Sequence, residues 1–232
     1  MKRVLMTGSN RGIGLALARE SLARGDRVFA TCRHPDEADD LHALAADYAD
    51  RLTILRLDVT DEETIEASVE AVQSEEDGLE LLINNAGVSP SGERLGRLDA
   101  DTMLNTFHVN AVGPVIVAQA YLDLLRSGHD PKIVNISSRL GSLAQKSSGG
   151  RYSYSSGKAA LNMLTRALAF DLRSDGITVL TMHPGWVQTD MGGSGAPVAP
   201  SDSAQGILRV ADELTMSDTG EFYTYQGREV PW

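Results

Sequence analysis

The sequence predicts an α/β chain, doubly wound around a mainly parallel sheet of about seven strands, and three observations lead there. Short apolar runs alternate with amphipathic helical stretches along the chain, the order that parallel βαβ units with right-handed crossovers produce. Two of the runs, Leu79-Glu80-Leu81-Leu82-Ile83 and Ile133-Val134-Asn135-Ile136, are nearly all apolar, as strands covered on both faces are. A glycine-rich turn, Gly8-x-x-x-Gly12-x-Gly14, separates the first apolar run from the first helical stretch. With 232 residues, 42% of them hydrophobic, and no linker-like segment, the chain reads as one domain over 1–232.

The elements follow in order. A strand over 2–6 leads into a helix over 12–24, with Ile13, Leu17 and Ser21 on one face and Gly25 as its stop. A strand over 27–31, a helix over 36–48 and a strand over 52–57 come next. Thr60-Asp61-Glu62-Glu63 reads as a capping box that opens a helix to about 74. A strand over 80–84 precedes one long helix over 101–126, which Gly113-Pro114 should bend. A strand over 132–136, a helix over 152–174 and a strand over 178–182 complete the regular pattern. The run Gly192-Gly193-Ser194-Gly195-Ala196-Pro197 reads as a flexible loop, and 190–202 is expected to be a mobile lid. A helix over 203–214 and a short strand over 221–225 end the chain.

The formal net charge of -11 argues against nucleic acid and against an anionic membrane surface as partners. No apolar run approaches a membrane span, and no leader is expected at the N-terminus. The single cysteine, Cys32, excludes an intrachain disulfide and points to a reducing, cytoplasmic setting. It reads as a small apolar residue at a strand end. The five histidines have no partner at ligand spacing, so no metal site is expected.

Four stretches carry chemistry. The turn Thr7-Gly8-Ser9-Asn10-Arg11-Gly12-Ile13-Gly14 joins a strand to a helix, the setting in which a Rossmann-type fold binds a dinucleotide. Glycines allow a tight turn and close backbone approach, and the helix N-terminus attracts the pyrophosphate. The candidate contacts are Gly8, Asn10, Arg11, Gly12, Ile13 and Gly14. At the tip of the second strand, where an acid would hold the ribose hydroxyl of NAD, the sequence has Thr31-Cys32-Arg33-His34. Arg33, helped by Arg11, suits a 2′-phosphate instead, so NADP(H) is the expected cofactor and NAD(H) the alternative. Each arginine alone also fits an ordinary surface charge.

Asn84-Asn85-Ala86-Gly87 ends the fourth strand, where ligands bind in doubly wound sheets; alone it would read as an Asn-rich turn. Asn135-Ile136-Ser137-Ser138 ends the fifth strand. No Gly-x-Ser-x-Gly elbow is present, so Ser138 suits a hydrogen-bond donor to a substrate oxygen, and Ser137 a cap of the following loop. Tyr154 and Lys158 stand four residues apart and share one helix face. The ammonium should lower the phenol pKa from roughly 10 and tune it for acid–base work. The same spacing alone also describes two surface residues.

Together these residues strongly resemble the short-chain dehydrogenase/reductase family over essentially the whole chain. The elements that carry the resemblance are Thr7-Gly8-x-x-x-Gly12-x-Gly14, Asn84-Asn85-Ala86-Gly87, Asn110, Ser138, Tyr154-x-x-x-Lys158 and Pro184-Gly185. Gly149–Tyr154, His183–Gly193 and the terminal Pro231-Trp232 are similar to the C-factor-like and Sniffer-like carbonyl reductases. The resemblance implies reversible, NADP(H)-dependent reduction of a ketone or aldehyde to an alcohol. It implies Tyr154 as acid/base, Lys158 on that phenol and on the nicotinamide ribose, Ser138 on the substrate carbonyl, and Asn110 on a relay water. Asp58 and Val59 would meet the adenine, and Asn85, Ala86 and Gly87 a ribose. Pro184, Gly185, Val187 and Thr189 would hold the nicotinamide end. It also implies a homodimer or homotetramer paired through the two long helices. A cofactor-binding regulatory or signalling protein is the rival reading, and an NAD-dependent alcohol dehydrogenase a second. The Ser- and Gly-rich stretch between Ser138 and Tyr154 is longer than is common in the family and should be mobile.

Overall fold

The computed structural model describes residues 1–232. The strands are β1 (Arg3–Thr7), β2 (Arg27–Cys32), β3 (Leu52–Arg56), β4 (Leu81–Asn84), β5 (Lys132–Ile136), β6 (Thr178–His183) and β7 (Phe222–Thr224). They form one sheet in the order β3-β2-β1-β4-β5-β6-β7, with all six pairings parallel. The helices are α1 (Gly12–Ala23), α2 (Asp39–Asp47), α3 (Glu62–Gln73), α4 (Ala100–Phe107), α5 (Gly113–Ala120), α6 (Leu122–Arg126), α7 (Tyr152–Asp171) and α8 (Pro200–Glu213).

Each face of the sheet has its own core. Leu17, Leu22, Leu41 and Ile207 pack on one face, under α1, α2 and α8. Ile65, Val117, Tyr121 and Ala169 pack on the other, under α3, α5 and α7. Successive strand residues point to opposite faces, so Val4 and Met6 enter the first core and Leu5 the second. The chain runs outward from β1 to β2 and β3, then returns to β4 on the other side. That reversal opens a crevice at the carboxyl ends of β1 and β4, where doubly wound sheets bind ligands.

Three local expectations change. The helix over 101–126 is broken into α4, a wide turn over His108–Val112, α5 and α6. In the wide turn Gly113 N–H donates to His108 O, five residues back. Pro114 is the cause, having no N–H for the Asn110 carbonyl and a ring that crowds it. The capping box over 60–63 gives way to a simple cap one residue later: the Asp61 carboxylate accepts from Glu63 N–H at 3.1 Å. Thr60 turns back, donating its N–H and hydroxyl to Asp58 Oδ1 at 2.9 and 2.8 Å. The last helix starts at Pro200, because proline fits a first helical turn where no N–H is needed.

Candidate active site

The first wall is the turn after β1. Gly8 and Gly12 have left-handed backbones, φ 67° and 56°. A Cβ on Gly8 would stand 2.9 Å from the Ala86 Cα, and one on Gly14 would run into the Gly8 carbonyl and the Asn85 amide. Asn85 laces the end of β4 to this turn: its Nδ2 donates to Thr7 O and Gly8 O at 2.9 and 3.0 Å. Thr7 Oγ1 accepts from the backbone N–H groups of Asn85 and Ala86, both at 3.0 Å. The N-terminus of α1 has no side-chain cap and no acid in its first turn, whereas Asp61 and Asp99 cap α3 and α4. Its free N–H groups and helix dipole suit a phosphate.

A cleft of about 1150 Å³ runs along the carboxyl ends of the strands. Gly8, Asn10, Arg11, Gly12 and Ile13 line it after β1, and Arg33, Asp58 and Val59 after β2 and β3. Asn85, Ala86 and Gly87 line it after β4, Tyr154 and Lys158 from α7, and Pro184 and Thr189 after β6. Gly14, Gly185 and Val187 are not among its lining residues. Gly185, at φ 92°, leaves room for Tyr225, whose ring a Cβ would meet at 3.0 Å. Val187 is buried and bridges to Val198. The two arginines differ. Arg33 is exposed and has no carboxylate partner, while Arg11 pairs with Asp190 at 2.9 Å.

At the other end, the helical period of α7 puts Tyr154 and Lys158 on one face, with Lys158 buried and Tyr154 half-buried. Lys158 Nζ donates to the Ile136 carbonyl at 2.8 Å and lies 6.0 Å from the centre of the Tyr154 ring. Burial lowers the Lys158 pKa to about 8. The expected lowering of the Tyr154 pKa is not found. Burial pushes the phenol up, and this outweighs the pull of the Ser138 hydroxyl and the Arg151 charge. The ammonium is drawn to a carbonyl behind the ring instead of to the phenol oxygen.

The cap expected of Ser137 falls to Ser138. Ser138 Oγ accepts from Leu140 N–H at 3.2 Å and so caps the following turn, while facing Tyr154. Ser137 Oγ donates inward to Asn162 Oδ1 at 2.6 Å. Asn110 is fully buried, its Oδ1 accepting from Val88 N–H and its Nδ2 donating to Val88 O, both at 2.8 Å. Gly87 joins these groups, since a Cβ there would be 3.2 Å from Asn110 Oδ1 and 3.6 Å from Lys158 Nζ.

The surrounding loops are more ordered than their composition suggests. Glu93 caps α7 from across the site: Ser153 N–H donates to its Oε2 at 3.0 Å, and the Ser153 hydroxyl donates to Oε1. The tail clamps the stretch after Ser138, with Ser142 Oγ donating to Pro231 O at 2.5 Å and Ala144 N–H to Trp232 O at 2.9 Å. Trp232 lies between Phe222, 5.4 Å between ring centres, and the Arg166 guanidinium at 5.4 Å. The segment expected as a flexible lid folds on itself. Trp186 Nε1 donates to Gly192 O at 2.8 Å, Gln188 Nε2 to Ala196 O at 2.9 Å, and Gly193 N–H to Thr189 O at 2.8 Å. Sequence reasoning passed over Glu93 and Asp190, whose partners lie 60 and 179 residues away.

A profile of the short chain dehydrogenase family matches residues 2–197. The chain belongs to the short-chain dehydrogenase/reductase family. It is an oxidoreductase of that family, with a close structural match to its Sniffer-like carbonyl reductases. The solved structure of the carbonyl reductase Sniffer of D. melanogaster is 33% identical, covers 100% of both chains and superposes with a TM-score of 0.96. The NADPH-bound carbonyl reductase from chicken fatty liver is 36% identical, covers 100% of this chain and 99% of its own, and has a TM-score of 0.94. C-signal of Myxococcus xanthus is 48% identical over 154 residues, which is 66% of this chain and 93% of that protein. No helix is long and apolar enough to cross a membrane.

Proposed function

We propose that the chain is an NADP(H)-dependent carbonyl reductase whose proton donor is Tyr154. One observation carries the reading: Tyr154 stands at the cleft with the Ser138 hydroxyl opposite it, and burial keeps its phenol protonated. A phenol held neutral is ready to give a proton to a developing alkoxide. Ser138 orients the carbonyl oxygen beside that proton. Lys158 keeps a positive charge under the site below a pH of about 8. Asn110, pinned to Val88, presents a carbonyl that lacks its helical donor, an anchor for a relay water.

The residues present fit the cofactor. The uncapped α1 N-terminus and its glycine turn suit the pyrophosphate, Arg33 the 2′-phosphate, and Asp58 and Val59 the adenine. Asn85 supports the turn while Ala86 and Gly87 would face a ribose, and Pro184 and Thr189, with Gly185 and Val187 beside them in the chain, would hold the nicotinamide end. When bound, the cofactor supplies the hydride. The likeness to an NADPH-bound carbonyl reductase supports this choice. Exposed Leu104, Met163 and Phe170 on α4 and α7 support a symmetric dimer or tetramer, which sedimentation velocity would test.

The test is a panel of ketones and aldehydes read by NADPH and NADH absorbance, with Tyr154→Phe beside the wild type. The expected result is NADPH-driven turnover that Tyr154→Phe lowers by about 100- to 10,000-fold. Near wild-type turnover by Tyr154→Phe would remove Tyr154 from the role of acid. The likeness to C-signal favours a second reading, a cofactor-binding signalling protein. Tight NADPH binding with no turnover on any carbonyl would select it.

A further inference from the structure

Two loops, 89–98 and 139–151, adjoin the Tyr154 end of the cleft: the first follows Val88, which lines it, and the second joins Ser138 to the start of α7. Glu93 and Ser153 tie the first loop to the start of α7, and Arg139 directly follows Ser138, so both flank the reacting end. Their charge is opposite to that of the molecule. The chain has 32 acidic and 21 basic residues. These loops carry Arg94, Arg97, Arg139, Lys146 and Arg151 against one acid, Glu93, which is engaged by Ser153.

None of the four arginines takes part in an ion pair, although Arg3, Arg11, Arg24, Arg27 and Arg126 all do elsewhere. Two of them act on the site. The Arg151 charge is among the pulls on the Tyr154 phenol that burial outweighs. Burial, with the Arg139 charge adding, lowers the His183 imidazole at the end of β6 to about 4. The same two loops carry exposed apolar side chains: Leu95 is 81% exposed, Leu143 80% and Leu140 39%.

Resting on the carbonyl-reductase reading, we propose that the substrate is an amphipathic anion: a ketone or aldehyde on an apolar body bearing a carboxylate or phosphate. Arg139 and Arg151 receive the anionic group, and Leu95, Leu140 and Leu143 cover the apolar body. A guanidinium fork matches both anions, and a rim of one sign raises the local concentration of the opposite one.

The test uses three probes of similar shape: para-acetylbenzoate, its uncharged methyl ester, and para-acetylphenyl phosphate. Calorimetry on the enzyme saturated with NADP measures binding, and NADPH oxidation measures turnover. Either anion is expected to bind about tenfold more tightly than the ester. The preference should shrink as salt rises. Arg139→Gln and Arg151→Gln should each reduce it, and Arg139→Lys and Arg151→Lys should restore part of it. Which anion binds more tightly identifies the headgroup. An ester that binds as well as both anions, or no measurable affinity for either anion, overturns the proposal. An anion that binds preferentially but is never reduced keeps the anion site at Arg139 and Arg151 and overturns the carbonyl-reductase reading, and with it the ketone or aldehyde.

Discussion

The two ends of the cleft are built differently. The end proposed for the cofactor is made of backbone at strand ends: Gly8, Gly12 and Gly14 against Asn85 and Ala86, all within the frame of β1, α1 and β4. The end proposed for the substrate is made of loops fastened by contacts distant in sequence. Glu93 reaches Ser153, Pro231 reaches Ser142, and Trp232 reaches Ala144. A prebuilt backbone site fixes one ligand class, whereas loops joined by side chains can vary without disturbing the sheet.

Gly14→Ala should break the cofactor end most severely. The new methyl meets the Gly8 carbonyl and the Asn85 amide, groups with no room to move. Overpacking of this kind costs about 1–3 kcal/mol. A lowered melting temperature and loss of NADPH binding in the same variant are expected. Arg33→Asp should change cofactor choice with little effect on folding, because Arg33 is exposed and unpaired. NADPH affinity should fall about 10- to 100-fold by titration while NADH affinity holds or rises. Equal wild-type affinity for the two cofactors would contradict the assignment of Arg33.

The catalytic end should respond to pH. The Lys158 pKa lies below its ordinary 10.5, at about 8, so its positive charge is present below that pH and lost above it. The rate of carbonyl reduction should therefore fall as pH rises through about 8, by up to about tenfold per unit. A rate that is flat to the ordinary lysine value would mean Lys158 stays charged. Glu93→Ala should give the smallest change, about 0.5–2 kcal/mol of stability, as for a lost helix cap. Because the cap sits one residue before Tyr154, kcat should drop a few-fold while NADPH affinity is unchanged.

The sheet and the glycine turn at the end proposed for the cofactor were legible in the sequence because both are local. Strand runs such as 132–136 and the glycine turn between β1 and α1 need only their own residues. Tyr154 and Lys158 were placed together by the helix period alone. What was not legible depends on distance or on competition between effects. Asp190 answers Arg11 from 179 residues away, which no local pattern reveals. Pro114 was expected to bend one helix, but its missing N–H opens a wide turn that brings Asn110 to the site. The loop over 190–202 was expected to be loose because of its glycines; the bonds to it from Trp186 and Gln188, which precede it, were not foreseen. The Tyr154 pKa was judged from the nearby ammonium, and burial proved larger.

That last point is the most direct test, because the proposed chemistry needs Tyr154 to be a neutral acid. The tyrosinate absorbance of the wild type minus that of Tyr154→Phe, followed against pH in the folded protein, isolates this one phenol. The account expects it to ionise above the ordinary tyrosine value of 10.0. Ionisation near neutral pH would show that the Lys158 charge outweighs burial, and would contradict the account of Tyr154 as a standing proton donor.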